Sequence, residues 1–151
     1  YISSICPIFL MLFILFRSVT VSLVLVIINA AAVAMMLGFT GYMGISLNSI
    51  TVLAGSLAFG VAVDDSIHLI NQFQIYRSKM SVEEAIKGTY ETKNRAIIGT
   101  SLLIIFTAIF FWMIDFTPIS NFGLVTVVSM SSALLLNLFV LPFYLRYSSL
   151  K

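Results

Sequence analysis

Two adjacent carboxylates and one imidazole interrupt an otherwise apolar stretch of this chain: Asp64, Asp65 and His68. His68 stands four residues after Asp64 and three after Asp65, so on a helix all three can share a face. Removal from water pushes a carboxylate and an imidazole each towards its neutral form, and their proximity opposes both shifts. Groups balanced in this way between two protonation states can carry a proton. The same three residues also allow a static helix staple without proton traffic. A metal site is weaker, because Asp64 and Asp65 point about 100° apart on a helix and His68 is the chain's one histidine. An intramembrane aspartyl protease needs acids on separate helices, and the remaining candidate, Asp115, belongs at a membrane edge.

The setting decides what these groups cost. The 151 residues are 60% hydrophobic and 9% charged, with a mean hydropathy of +1.10. Soluble domains carry roughly a quarter charged residues, so too little polar surface exists here to cover a water-facing globule. That composition excludes a soluble enzyme and a disordered chain. Eight Lys and Arg against six Asp and Glu leave a net charge of +2, far from the basic footprint of a nucleic-acid binder. Cys6 is the only cysteine, so neither an internal disulfide nor a cysteine metal cluster can form. No cofactor motif is present. The sequence opens at Tyr1 within an apolar run, which reads as a piece of a longer membrane protein rather than as a signal peptide.

A helix needs about 20 mostly apolar residues to cross the hydrocarbon. The expected fold is therefore all-α, a single transmembrane domain over residues 1–151 with five spans. These run from about Tyr1 to Phe16, Val19 to Phe39, Leu47 to Tyr76, Ala96 to Ile114, and Ile119 to Leu145. Arg17 falls between spans one and two. Arg77, Lys79, Lys87, Lys93 and Arg95 fall between spans three and four, and Arg146 and Lys151 follow span five. Neither remaining connection, Gly38 to Asn48 or Asp115 to Pro118, holds Lys or Arg. Alternating spans put every basic residue on one side, as the positive-inside rule requires. The start of the chain is then outside and its end cytoplasmic. Between spans three and four, Ser81-Val-Glu-Glu-Ala-Ile-Lys-Gly88 opens as a capping box, Ser81 to Glu84. It predicts a short amphipathic helix along the cytoplasmic surface.

Within this frame Asp64 lies 13 residues from Arg77, about 20 Å of helix rise, which sets it close to the midplane. Charged groups there cost about 2.5–3.5 kcal/mol each on the lenient insertion scale, and they are functional by default. Counting in from the basic ends places Asn29, Thr107 and Asn137 at the same depth, as support for a proton relay of Asp64, Asp65 and His68. Each of these, taken alone, is packing glue worth about 0.6–2 kcal/mol. Gly55, Ser56, Ala58, Gly60 and Ala62 leave a backbone that a neighbouring helix can approach, with Gly60 one turn before Asp64.

Gly60-Val-Ala-Val-Asp-Asp-Ser-Ile-His68 resembles the fourth-helix motif of resistance–nodulation–division (RND) exporters, in the MMPL/Patched-like branch that includes lipid exporters. Asn94-Arg-Ala-Ile-Ile-Gly-Thr-Ser101 is similar to the start of that family's fifth helix. Phe116-Thr-Pro-Ile-Ser-Asn-Phe-Gly123 resembles the outer turn into the sixth, and Leu136-Asn-Leu-Phe-Val-Leu-Pro142 its inner end. The resemblance covers essentially the whole chain, as helices two to six of one half, a block known in eukaryotic relatives as the sterol-sensing domain. It implies an exporter of hydrophobic or lipid-like substrates driven by the proton-motive force. Asp64 then comes first and Asp65 second as proton carriers, in a bacterial cytoplasmic membrane. It also implies partners outside this sequence: a second transmembrane half and an extracytoplasmic porter domain. Multidrug members add a midplane Lys, which this chain lacks. A lipid- or sterol-binding module without transport is the alternative. The topology has a direct test: a membrane-impermeant amine reagent should modify Lys87 from the cytoplasmic side alone, and modification from the outer side alone would invert the assignment.

Overall fold

The computed structural model describes residues 10, 13, 14 and 16–148. The first expected span, residues 1–16, lies outside them except for Leu10, Phe13, Ile14 and Phe16, which are helical. The rest is helix: α1 Val19–Tyr42, α2 Ser49–Arg77, α3 Val82–Trp112, α4 Thr117–Leu135, a π turn Leu136–Val140, and α5 Leu141–Ser148. Among the described residues four helical stretches are long and apolar enough to cross a membrane, the last formed by α4, the π turn and α5 together.

Local sequence sets the ends of these helices. Ser18 caps α1 by accepting from Val21 N–H. Asn48 and Thr51 close a reciprocal box at the start of α2. At α3 the expected box is present: Ser81 N–H and Oγ both donate to the Glu84 carboxylate, at 3.1 and 2.6 Å. Those bonds favour the ionised form and hold the Glu84 carboxyl below its usual range. Phe116 precedes α4 with Pro118 in its first turn, where a missing N–H costs nothing.

Two expectations need correction. The surface helix beginning at Ser81 is not separate from the span beginning at Ala96, because α3 runs unbroken for 31 residues, about 46 Å at 1.5 Å per residue. Lys93, Asn94 and Arg95 change the polarity without changing the backbone preference, and no Pro lies between Thr92 and Ala96 to break the helix. Gly88 sits in this stretch because the Tyr76 ring packs 3.3 Å from where its Cβ would be. The last span is likewise not one uniform helix but is widened at Leu136–Val140.

Short connections make sequence neighbours antiparallel. α2 and α4 lie between α1 and α3, and α4 touches all three. Small residues let the axes approach: Ala32, Ala62 and Ala133 meet where α1, α2 and α4 pack, and Met36, Ala54 and Val125 meet nearer the other end. At the basic end Leu25, Leu69, Ile70, Phe73, Ile97, Leu141 and Leu145 form the largest apolar cluster. The outer surface is apolar too, with Phe106, Phe139 and Phe143 exposed, as expected of helices whose surroundings are hydrocarbon.

The tightest approach is at Gly123 in α4. A Cβ there would overlap Trp112 N and lie 2.5 Å from Ala108 O, both backbone atoms of α3. Gly123→Ala should therefore part the α3–α4 hairpin at a cost of about 1–3 kcal/mol, read as lowered stability in reversible unfolding from mixed micelles. Gly60→Ala, which meets nothing within 4 Å, should leave that stability unchanged.

Candidate functional site

Successive residues on a helix point about 100° apart, and α2 uses this to send its two acids to different places. The Asp64 side chain is 69% exposed and that of His68 57%, with His68 Nε2 at 3.5 Å from Asp64 Oδ2. Ser56, Gly60, Asp64, His68 and Asn71 form an exposed polar and small stripe along α2. Asp65 turns the other way and is buried, the sole buried carboxylate among the described residues. It faces Ser101 of α3, whose fully buried hydroxyl is not within hydrogen-bond reach of any partner. The three residues therefore do not share one environment: an exposed acid–imidazole pair stands beside a buried acid. Among the described residues no three of His, Cys, Asp or Glu come together as a metal site.

The expected polar layer is realised in part. Asn29 of α1 donates to Leu25 O at 2.8 Å and to Ser66 Oγ at 3.3 Å. Ser66 Oγ stands 2.8 Å from both Ala62 O and Asn137 Oδ1, and its single proton serves one of them at a time. Asn137 Nδ2 donates to Ala62 O at 3.4 Å. Asn29, Ser66 and Asn137 are all buried, so this node joins three helical segments at the residue next to Asp65. Thr107 is not part of it. Its side chain is exposed and its hydroxyl donates to Leu103 O of its own helix. Gly60 lies on the exposed stripe, away from any neighbour within the chain.

Ser66, Ser101 and Tyr90 take roles that the sequence reading did not assign. Ser66 was legible in principle, since it follows the two acids and a buried hydroxyl needs a partner. Ser101 was not found by counting residues from basic termini, because α3 extends past the end of α2, whose Tyr76 packs on Gly88 and bonds to Thr92. The residue facing Asp65 is therefore Ser101, only six residues from Arg95, and Thr107 sits more than a turn beyond it.

There Thr107 lines a cavity of about 280 Å³ between α2, α3 and α4, walled by Leu57, Val61, Ile104, Phe122 and Met130. The Thr126 hydroxyl in the wall bonds to Phe122 O, so both threonines spend their protons on their own helices. The cavity offers apolar surface alone.

Compared with known families, residues 1–148 match the MMPL family. The chain belongs to the MMPL family. No curated protein matches it. The MMPL match and the four apolar helices make it a multi-pass membrane protein, in a family of transporters rather than enzymes. The expected RND-type resemblance holds over nearly all of its length.

The hydrogen-bond node of this MMPL domain should be sensitive to substitution. Asn137→Leu removes the two bonds that tie the π turn to α2, those to Ser66 and to Ala62 O, and should lower stability by about 1–3 kcal/mol. Thr107→Val should stay within about 0.5 kcal/mol of the parent. Equal losses in micelle unfolding would show that the node is not what holds α2 to the π turn.

Proposed function

We propose that this chain is the transmembrane part of an exporter that uses the proton-motive force to move hydrophobic or amphiphilic, lipid-like substrates. The observation that carries this reading is the pairing on adjacent residues of α2: Asp64 exposed with His68, Asp65 buried against Ser101. A carboxylate inside an apolar bundle is retained at a cost, and one that only stapled helices would need no acid–imidazole pair beside it. Asp64 is the proton carrier. Its carboxylate attracts a protonated His68, and protonating Asp64 removes that attraction. Asp65 assists from inside the bundle, facing Ser101. Asn29 and Asn137 support the relay by fixing the rotation of α2 through Ser66. Thr107 contributes to the cavity instead.

The exposed stripe through Gly60, Asp64 and His68 is the surface presented to the second transmembrane half, in keeping with coupling sites at repeat interfaces of secondary transporters. A porter domain outside this sequence would handle substrate on the outer side. The protein lies in a bacterial cytoplasmic membrane with Arg17, Arg77 to Arg95 and Arg146 facing inwards, the chain starting outside and ending in the cytoplasm. The membrane's own lipids surround the Phe106, Phe139 and Phe143 face.

The cavity favours a second reading, a lipid- or sterol-binding module without transport. The two readings separate in proteoliposomes of the full-length protein carrying an internal pH dye. Asp64→Asn keeps the shape but cannot titrate, and should reduce substrate-dependent proton movement to background. Asp65→Asn should reduce it strongly, and His68→Asn should shift its pH dependence while preserving transport. Full proton-coupled export by the Asp64→Asn, Asp65→Asn double variant would overturn the relay, whereas substrate binding with no substrate-dependent proton movement in the parent protein would favour the binding module.

A further inference from the structure

The π turn has a cause that can be traced atom by atom. In a continuous α-helix Leu141 N–H would donate to Asn137 O, four residues back. Here it donates to Leu136 O, five residues back. Asn137 O has thereby lost its α-type donor. Its wide-turn donor, five residues on, would be residue 142, and Pro142 has no N–H. The Asn137 carbonyl is filled from outside the span: Tyr90 Oη of α3 donates to it at 2.8 Å.

The alternative register has the mirror problem. If Leu141 N–H returned to Asn137 O, the carbonyl without an α-type donor would be Leu138 O, because its partner is again Pro142. The ring would also crowd that carbonyl, as prolines do within helices. Pro142 denies Leu138 O an α-type donor in either register, whereas Asn137 O is short in the π register alone, and in an apolar bundle a short carbonyl must be met by protein. Of these two carbonyls, Tyr90 reaches Asn137 O.

We propose that Pro142 makes this span a two-register element, and that the Tyr90 hydroxyl selects the π register by supplying the donor that Asn137 O lacks. A shift of one residue would turn α5 by about 100° and move it about 1.5 Å along its axis. The elements on either side suit such a switch. The Asn137 side chain bonds to Ser66, the neighbour of Asp65. Beyond the turn, α5 buries Leu141 and Leu145 and its Arg146 Nη2 donates to Glu83 Oε1 of α3 at 2.9 Å. α3 thus grips the span at two points, Tyr90 within the turn and Glu83 after it. Transmission from Asp65 to α5 rests on the proton-relay reading; the two registers do not.

The test reads the register directly. Spin labels at Lys87 and Tyr147, both exposed, report the rotation of α5 against α3 in the full-length protein in lipid vesicles. A 100° turn on a cylinder of about 5 Å radius displaces the second label by about 8 Å. The parent should give one distance. Tyr90→Phe, which keeps the ring and removes the donor, should add or substitute a second. Pro142→Ala restores an N–H that can reach Leu138 O in the α register or Asn137 O in the π register; with neither carbonyl short, ordinary α geometry is preferred to the rare π turn, and the second distance should be the one observed. Adding Tyr90→Phe to Pro142→Ala should then change nothing further, a non-additivity that mere loss of packing would not produce. An unchanged single distance in a folded Tyr90→Phe protein would overturn the proposal. Should Tyr90→Phe fail to fold, the parental distance in Pro142→Ala would overturn it equally.

Discussion

Asn137 is buried where there is no water to meet it, so its amide must find partners on neighbouring helices. Ser66 and Ala62 of α2 provide them, and Asn29 of α1 joins through Ser66. Each such bond in a bilayer contributes little by itself. Its importance is directional, because van der Waals packing of Ala32, Ala62 and Ala133 would tolerate several rotations of α2 and the amide bonds tolerate one. With the rotation of α2 set, Asp65 must face Ser101 and Asp64 must face outwards.

That division gives the two acids different chemistry despite their adjacency. Asp65 is surrounded by the chain's own helices and faces the buried Ser101 of α3. Asp64 and His68 lie on a surface that this bundle does not cover. A coupling device built across two halves needs a group of each kind, one that belongs to the domain's interior and one that is presented at its boundary. The apolar cavity between α2, α3 and α4 begins one turn from the acids on the side away from the basic end, at Val61. A bound hydrophobic chain and a titrating carboxylate would therefore act on the same stretch of α2.

The polar third of α3 is part of the same mechanical unit. Because the helix continues from Val82 through Trp112, any tilt of its membrane portion moves Tyr90 and Glu83 with it. Those two residues hold the span containing Pro142 at its irregular turn and beyond it. A rigid lever thus meets a helix whose hydrogen-bond ladder cannot be completed in either register.

Much of this was legible in the sequence. Apolar runs of membrane length, the one-sided distribution of Lys and Arg, the Ser81–Glu84 cap and the Asp64, Asp65 and His68 cluster follow from short-range rules of solvation and helix geometry. The match of Gly60 to His68 with a known motif rests on the same short segment. What the tertiary structure alone decided depends on the relative height and rotation of helices, which no local pattern encodes. Counting in from basic termini put Thr107 beside the acids, whereas the overhang of α3 puts Ser101 there. A change in polarity at Lys93 to Arg95 suggested a helix boundary, but helix continuity is governed by backbone breakers and none lies at that point. Pro142 removes one N–H from the last span. Which carbonyl it orphans, and that Tyr90, 47 residues earlier in the chain, fills it, could be settled only once the helices were packed.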